Sequence, residues 1–228
     1  MKTTILISGG TSGLGKTIAQ ILSPHQQVII LSPSEDKLKK VAAELNCDYE
    51  VCDITDYQQC ERAIQNTLKK HQQIGCLINN AGIWIEGGLD QNDADHIQKT
   101  MDINATGVIF LSKAVIPTMK KQKQGFIINV ISQAGLYAKA KRSVYDASKW
   151  AVTGLTKCLE QELAPYNIKV TGLYPGFMET PLFEKMGTHK DFTNALNPES
   201  VAKAIKFLID MDHEVLIPEL GIKKISNQ

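Results

Sequence analysis

Long hydrophobic runs, paired cysteines, linkers and an excess of either charge are all missing from this sequence, and each absence removes a class of protein. No apolar stretch approaches the roughly 20 residues that a membrane-spanning helix requires. The opening residues 1–7 superficially resemble the start of a signal peptide. Their apolar stretch ends at once in Ser8-Gly9-Gly10, so it reads as a first strand. The five cysteines (Cys47, Cys52, Cys60, Cys76, Cys158) form no CxxC pair and no Cys/His metal spacing. That argues against a disulfide framework or a metal site, and an odd, scattered set of thiols suits a cytoplasmic protein. Lysine plus arginine (25) nearly balance aspartate plus glutamate (24), giving a formal net charge of +1. Nothing in that balance calls for nucleic acid or an anionic membrane as the main partner. No Pro/Gly/Ser-rich linker, internal repeat or low-complexity tract interrupts the 228 residues, which suit a single domain spanning 1–228.

What is present is an alternation. Strand-like runs at 3–8, 27–32, 48–52, 76–79, 125–131, 169–173 and 214–217 are separated by helical patterns near 13–23, 35–45, 57–71, 93–122, 144–164 and 198–211. Strands separated by helices of this length imply right-handed βαβ crossovers. The expected fold is therefore α/β, a doubly wound Rossmann-type unit with a mostly parallel seven-stranded sheet and helices on both faces. Residues 177–197 break the pattern. Lying on the carboxyl side of the sheet, they are read as a substrate lid.

The first strand runs into Ser8-Gly9-Gly10-Thr11-Ser12-Gly13-Leu14-Gly15 and then a helix. Glycines at 9, 13 and 15 allow a sharp turn, close approach to a pyrophosphate and helix-on-strand packing. The helix N-terminus adds N–H donors and a partial positive charge. A plain tight turn uses the same residues, but strand, glycine loop and helix occur in the order phosphate binding needs, and no Gly-Lys-Ser/Thr of a Walker loop follows. Asn79-Asn80-Ala81-Gly82 ends the fourth strand beside the ligand crevice, as a ribose lining or an ordinary turn. Asp53 after the third strand suits an adenine amino group or a helix cap.

Tyr145 and Lys149 lie four residues apart on one helical face. A tyrosine has a pKa of about 10, and a nearby ammonium is expected to lower it toward useful proton exchange with an alcohol or carbonyl oxygen. Taken alone, such a pair is an ordinary surface neighbour pair. Ser132, closing the fifth strand, brings a hydroxyl to the crevice side.

In this company the chain resembles the short-chain dehydrogenase/reductase family from Thr3 to about Thr180. The motifs, in family order, are Gly9-x-x-x-Gly13-x-Gly15 with Ser8 where threonine is usual, Asp53, the NNAG at 79–82, Asn104 in DINATG, Ser132, Tyr145 with Lys149, and Pro175-Gly176 followed by Thr180. The resemblance implies a catalytic tetrad. Tyr145 is the general acid in reduction and the general base in oxidation, and Ser132 orients the substrate oxygen. Lys149 lowers the Tyr145 pKa and binds the nicotinamide ribose, while Asn104 holds a relay water. It further implies dinucleotide contacts from Gly9, Thr11, Ser12, Gly13, Leu14 and Gly15, from Ser32 and Ser34, from Asp53 and Ile54, from Asn80, Ala81 and Gly82, and from Pro175, Gly176, Met178 and Thr180. No metal is implied. The hydride chemistry belongs to the cofactor.

Cofactor choice falls on Leu31-Ser32-Pro33-Ser34-Glu35-Asp36-Lys37, where a carboxylate at the strand tip selects NAD and a nearby arginine selects NADP. The family's usual markers for either are missing. Ser32 as N-cap, Pro33 at N1 and Glu35 at N3 read as a capping box. The missing strand-tip carboxylate leaves room for a 2′-phosphate on Ser32 and Ser34, so NADP(H) is favoured and NAD(H) stands as the alternative.

The expected substrate pocket comprises Trp84, Ile85, Leu136, Tyr137, Phe177, Met178, Leu182, Phe183 and Met186, an apolar lining for a ketone, aldehyde or secondary alcohol. The basic group Lys139, Lys141 and Arg142 stands between Ser132 and Tyr145 in sequence and reads as solvated loop charge or as an attraction for an anionic substrate, while Lys37, Lys39 and Lys40 read as solvated charge. The helices at 93–122 and 144–164 are apolar on more than one face and suggest a homodimer or homotetramer. Two rivals have distinct consequences. A dinucleotide-binding regulatory or scaffolding protein binds cofactor without turnover, and a Rossmann methyltransferase leaves Tyr145 and Lys149 unexplained.

Overall fold

The computed structural model describes residues 2–184 and 187–227. In chain order the elements are β1 (Thr4–Ser8), α1 (Gly13–Leu22), β2 (Gln27–Ser32), α2 (Glu35–Leu45), β3 (Asp48–Val51), α3 (Tyr57–His71) and β4 (Cys76–Asn79). Then come α4 (Ala94–Met101), a π-helical turn (Asp102–Thr106), α5 (Gly107–Gln122), β5 (Gly125–Val130), α6 (Ser143–Leu163), β6 (Ile168–Pro175), α7 (Pro198–Asp210) and β7 (Glu219–Ile222). The strands form one sheet in the order β3-β2-β1-β4-β5-β6-β7, and every pairing is parallel.

A parallel sheet covered on both sides needs strands that are apolar on both faces. Alternate residues divide between two cores, as the two-residue strand period requires. Ile5, Ile7, Val28, Ile30, Ile78 and Ile128 pack with α1, α2 and α7. Leu6, Ile29, Leu31, Leu77, Ile127 and Val170 pack with α3, α5 and α6. The sheet and its two helical layers thus follow from the β-branched runs seen in the sequence.

Three expectations need correction. The seventh strand is Glu219–Ile222 rather than 214–217. Val215 and Leu216 are exposed, the Val215 N–H turns back onto the Asp212 carbonyl (3.0 Å), and Pro218 accepts from Gly172 N–H (2.9 Å) as the chain joins the sheet. Proline cannot donate to a ladder, so pairing begins after it. The capping box is also absent. Ser32 still belongs to β2, accepting from Cys52 N–H (3.0 Å), and Ser34 is the N-cap of α2 without a side-chain bond. Glu35 instead pairs with Lys39 (2.8 Å). Sheet pairing extends one residue past the point where the sequence suggested a cap. Finally, 93–122 is not one α-helix. At Asp102–Thr106 it widens into a π turn, with Gly107 N–H donating five residues back to Asp102.

Candidate active site

β1 and β4 are sheet neighbours although β2 and β3 lie between them in sequence. At such a reversal of strand order the connecting loops part and a crevice opens at the carboxyl ends of the strands. A cavity of about 1190 Å³ runs from the glycine loop to the 177–197 segment.

Gly9 (φ +68°) and Gly15 shape the first wall. A Cβ on Gly9 would stand 2.9 Å from Ala81 Cα, and one on Gly15 would stand 2.3 Å from the Gly9 carbonyl oxygen. Glycine at both positions lets the loop fold under the start of α1, whose first turn carries no acidic residue to occupy its positive end. Gly9, Thr11, Ser12, Gly13 and Leu14 line the cavity, whereas Gly15 lies behind it. Ser8 clips the facing loop in place, its hydroxyl accepting from Asn80 N–H (3.0 Å) and Ala81 N–H (3.1 Å). Asn80 Nδ2 donates back to the Ser8 carbonyl (3.0 Å).

A buried polar chain escaped the sequence reading. Asn79 Nδ2 donates to Ser112 Oγ (3.0 Å) and Asn129 Oδ1 (2.8 Å), and Asn129 Nδ2 donates to Thr156 Oγ1 (2.8 Å). It ties β4 and β5 to α5 and α6 directly beneath the crevice. The signal was two asparagines at the ends of strands that prove to be in register, Asn79 against Asn129.

At one end of the cavity the wall is Ser32, Pro33, Ser34 and Lys37. Lys37, read from sequence as a solvated charge, is three residues past the Ser34 cap and so turns toward the same side. Asp53 and Ile54 are not on the wall. Asp53 neither caps α3 nor faces the cavity, since Oδ1 accepts from Thr55 N–H (3.0 Å) and Thr55 Oγ1 (2.7 Å), while Asp56 caps the helix.

At the other end the fold brings together Ser132, Tyr145 and Lys149, with Asn80, Ala81, Gly82, Pro175, Gly176, Met178 and Thr180 on the same cavity. Ser132 has φ +133° and ψ 158°, a region essentially confined to glycine. The turn is held by Ala134 N–H donating to Ser132 Oγ (3.1 Å) and Gly135 N–H to its carbonyl (2.9 Å). Lys149 is buried, donating weakly to the Val130 carbonyl (3.4 Å) 5.7 Å from the Tyr145 ring centre.

The electrostatics differ from the sequence expectation. Burial pushes the Tyr145 phenol up to about 12, opposed by the nearby Ser132 hydroxyl and the Arg142 charge. The same burial pushes the Lys149 ammonium down to about 8. Desolvation, rather than attraction between the two, is the dominant influence of the protein on both groups.

Asn104 sits in the π turn, fully buried and off the cavity wall. Its Oδ1 accepts from Ile83 N–H (2.8 Å), and Nδ2 donates to the Ile83 carbonyl (2.9 Å) and Ser148 Oγ (3.1 Å). The amide is a strut that holds the loop after β4. A side chain on Gly82 would bring its Cβ within 3.2 Å of Asn104 Oδ1 and 3.7 Å of Lys149 Nζ, so this glycine lets three elements converge.

Trp84, Tyr137, Phe177, Met178, Leu182 and Phe183 line the cavity as expected. Ile85 and Leu136 do not. Ile85 is buried in the aromatic cluster behind the wall, and Leu136 packs toward Ile131 and Val152. Met186 lies outside the described residues. Lys139, which stays exposed, and the half-buried Arg142 both reach the wall, whereas Lys141 is exposed away from it. Segment 177–197 closes on itself through Leu196 N–H to the Phe177 carbonyl (2.8 Å) and Glu179 N–H to the Leu196 carbonyl (3.1 Å). It places Phe183 on Trp84 (5.1 Å between ring centres) and Phe192 on Phe177 (5.5 Å, stacked). Among the described residues there is no group of His, Cys, Asp and Glu able to hold a metal ion, and no helix long and apolar enough to cross a membrane.

The chain is 35% identical over 189 residues to trans-4-hydroxycyclohexanecarboxylate dehydrogenase of Sinomonas cyclohexanicum, covering 78% of this chain and 73% of that protein. It is 33% identical to the 3-oxoacyl-(acyl-carrier-protein) reductase FabG of Thermotoga maritima, covering 89% and 88%. Among solved structures, ElxO with NADP bound superposes with a TM-score of 0.88 at 29% identity, covering 97% of both chains. The family model for short chain dehydrogenases matches residues 3–191. With that span, this fold and this set of side chains on one crevice, the chain belongs to the short-chain dehydrogenase/reductase family and is an NAD(P)-dependent oxidoreductase.

Proposed function

We propose that the enzyme transfers a hydride between NADP(H) and a small ketone, aldehyde or secondary alcohol, with Tyr145 moving the proton. The observation that carries this reading is that Ser132, Tyr145 and Lys149 share one continuous cavity with the glycine loop. The residues present fit a dinucleotide. The cradle at Gly9 and Gly15 has no room for a Cβ, and the start of α1 offers N–H groups with no competing carboxylate. Gly9, Thr11, Ser12, Gly13 and Leu14 hold the phosphates, and Asn80, Ala81 and Gly82 the neighbouring ribose. Pro175, Gly176, Met178 and Thr180 hold the carboxamide end. When bound, the nicotinamide supplies or accepts the hydride.

NADP(H) is preferred because Lys37 stands with Ser32 and Ser34 at the far end of the cavity. Among the described residues no acidic one lines that end, and Glu35 is occupied by Lys39. A 2′-phosphate meets a cation and two hydroxyls there, and a relative of known structure carries NADP. NAD(H) is the alternative that titration separates.

In reduction the Tyr145 O–H donates its proton to the substrate oxygen, which the Ser132 hydroxyl holds close to the phenol. In oxidation the phenolate takes the proton back. A phenol held at about 12 is fully protonated at neutral pH, the state reduction requires. Lys149 holds the nicotinamide ribose, and Asn104 holds the loop after β4 beside it through Ile83 and Ser148. Residues 177–197 act as a lid that excludes water through Phe183 and Trp84. Two copies pair through α5 and α6, where a groove of about 420 Å³ between Ile109, Ile116, Leu155 and Leu159 is almost wholly apolar and Ile109 and Trp150 are 44% and 49% exposed. Free thiols, three of them buried, suit the cytoplasm.

Separate titrations with NADPH and NADH, followed by nicotinamide fluorescence and thermal stability, test the reading. A preference for NADPH, with ketone reduction that Tyr145→Phe abolishes while cofactor still binds, is the expected result. Binding of neither cofactor would falsify it, and turnover unchanged in Tyr145→Phe would remove the proposed role of that residue.

A further inference from the structure

Charge on the cavity wall is one-sided although the chain is balanced overall. Among the described residues the wall carries Lys37, Lys139, Arg142, Lys149, Lys190 and Lys223 against Glu86 alone. The proposed cofactor and chemistry account for Lys37 and Lys149, and Lys223 lies at the proposed carboxamide end. Lys37 is at the Ser34 end, Lys223 is beside Gly176, and Lys149 is next to Tyr145. Three remain, all around the substrate end. Lys190 is held by both oxygens of Glu86 (2.8 and 3.0 Å) and is thereby neutralised. Lys139 and Arg142 are left. Arg142 is ion-paired with the buried Asp146, but at 3.9 Å between Nε and Oδ1 the pair is too long for a hydrogen bond, and both atoms are buried without a hydrogen-bond partner. Asp146 Oδ2 is already taken by the Lys139 backbone N–H (2.9 Å). Trp84, 4% exposed, has a buried indole N–H that also lacks an acceptor, and Arg142 lies 5.6 Å from the centre of its ring. Buried donors without acceptors are rare enough to require a reason.

We propose that this corner is an anion subsite and that the substrate is a small oxo or hydroxy acid whose carboxylate binds Arg142, with Lys139 at its rim. The proposal rests on the oxidoreductase reading above and names its substrate class. A guanidinium presents a planar pair of donors to a carboxylate. Arg142 is the N-cap of α6, three residues before Tyr145, so carboxylate and reacting oxygen meet two separate side chains. The acid carries its oxo or hydroxyl group away from the carboxylate, and the apolar spacer packs on Trp84 and Phe183. A cavity lined by one sign of charge also concentrates such a substrate at its mouth.

The test uses the full chain saturated with NADPH and measures thermal stability and tryptophan fluorescence with cyclohexanecarboxylate and its neutral isostere cyclohexanecarboxamide. The acid is expected to bind about tenfold or more tightly than the amide. The difference should shrink as salt rises and disappear in Arg142→Gln, with Lys139→Gln, an exposed position, losing part of it. Equal binding of acid and amide by the wild type overturns the proposal, and so does an Arg142→Gln protein that loses both alike. Turnover then separates the two readings, using straight-chain oxo acids against their methyl esters. Selectivity for the acid over its ester in kcat/KM, lost in Arg142→Gln, supports both. Acid binding that depends on Arg142 without reduction of any oxo compound leaves the subsite standing and sinks the oxidoreductase reading. Reduction of esters as fast as acids does the opposite.

Discussion

The indole of Trp84 lies against the phenol of Tyr145, with ring centres 4.5 Å apart and planes inclined at 58°. Phe183 covers the indole from the lid side, and Tyr145 is left 6% exposed. The aromatic cluster at the proposed substrate pocket is therefore also what desolvates the proposed acid. A phenol pushed up to about 12 donates a proton readily only if the oxygen it meets is developing negative charge, which a carbonyl does as hydride arrives.

Trp84→Ala tests this coupling. Removing the indole admits water to Tyr145 and lets its pKa fall toward the ordinary value of about 10. The alkaline limb of ketone reduction, read from kcat/KM against pH, is expected to move to lower pH in the variant. Alcohol oxidation should gain relative to the wild type at pH 9–10. Loss of a buried tryptophan also costs about 3–5 kcal/mol of stability. A limb that stays in place shows that Trp84 shapes the pocket without tuning the acid.

Ser132 offers a contrast between strain and chemistry. Its φ of +133° is readily adopted by glycine and not by serine or alanine. Both Ser132→Gly and Ser132→Ala lose the bond from Ala134 N–H, but Ser132→Gly is expected to be more stable than Ser132→Ala by about 1 kcal/mol, the relief of a strained residue less the extra freedom of the unfolded chain. Both lose the hydroxyl that holds the substrate oxygen and should slow kcat by about 100- to 1000-fold. Urea unfolding of the pair is the check. Equal stability of the two variants would show that the surrounding hydrogen bonds impose no strain at this residue.

Much of this architecture was legible in the sequence because burial on both faces of a parallel sheet leaves a strong signal. Runs such as Ile5-Leu6-Ile7 and Val28-Ile29-Ile30 admit few other readings, and Ser132, Tyr145 and Lys149 share one cavity wall while Asn104 lies behind it. The failures share a cause, which is that they depend on register and direction rather than residue type. Val215-Leu216-Ile217 looked like a strand, yet the sheet is reached only beyond Pro218. Ser32 looked like a cap, yet its carbonyl still belongs to the ladder. Lys37, Lys139 and Arg142 resembled the chain's other surface cations until the β2–α2 turn and the start of α6 aimed them into the crevice. The Asn79–Asn129 pair became visible only once the register of β4 on β5 was known.

Lys149 is expected to trade stability for function. Its folded pKa of about 8 against an ordinary 10.5 means that burying the ammonium costs about 3 kcal/mol at neutral pH. Below pH 8 the full cost is present. Between about 8 and 10.5 the unfolded chain holds the proton and the native one does not, so stability from this group rises with pH across that window. Lys149→Met removes the charge. It should raise the melting temperature at pH 7 in the cofactor-free protein, lose most of that advantage by pH 10.5, and abolish turnover. A variant no more stable than the wild type at pH 7 shows that water or a counter-charge already solvates the ammonium.

Lys37 tests cofactor choice without touching the chemistry. It is exposed, lies beyond the Ser34 cap and shares the cavity wall with Ser32. A partly solvated lysine–phosphate contact contributes on the order of 1–1.5 kcal/mol, so Lys37→Gln should weaken NADPH about tenfold and leave NADH within about twofold. Because the contact is ionic, the NADPH preference of the wild type should also decline as salt rises, and the variant should lose that dependence. The catalytic groups are at the other end of the cavity, so kcat with saturating NADPH should not change. If the variant binds both cofactors as the wild type does, the 2′-phosphate is held by Ser32 and Ser34 alone or is not recognised. A direct comparison of NADPH and NADH affinities in the wild type decides between these outcomes.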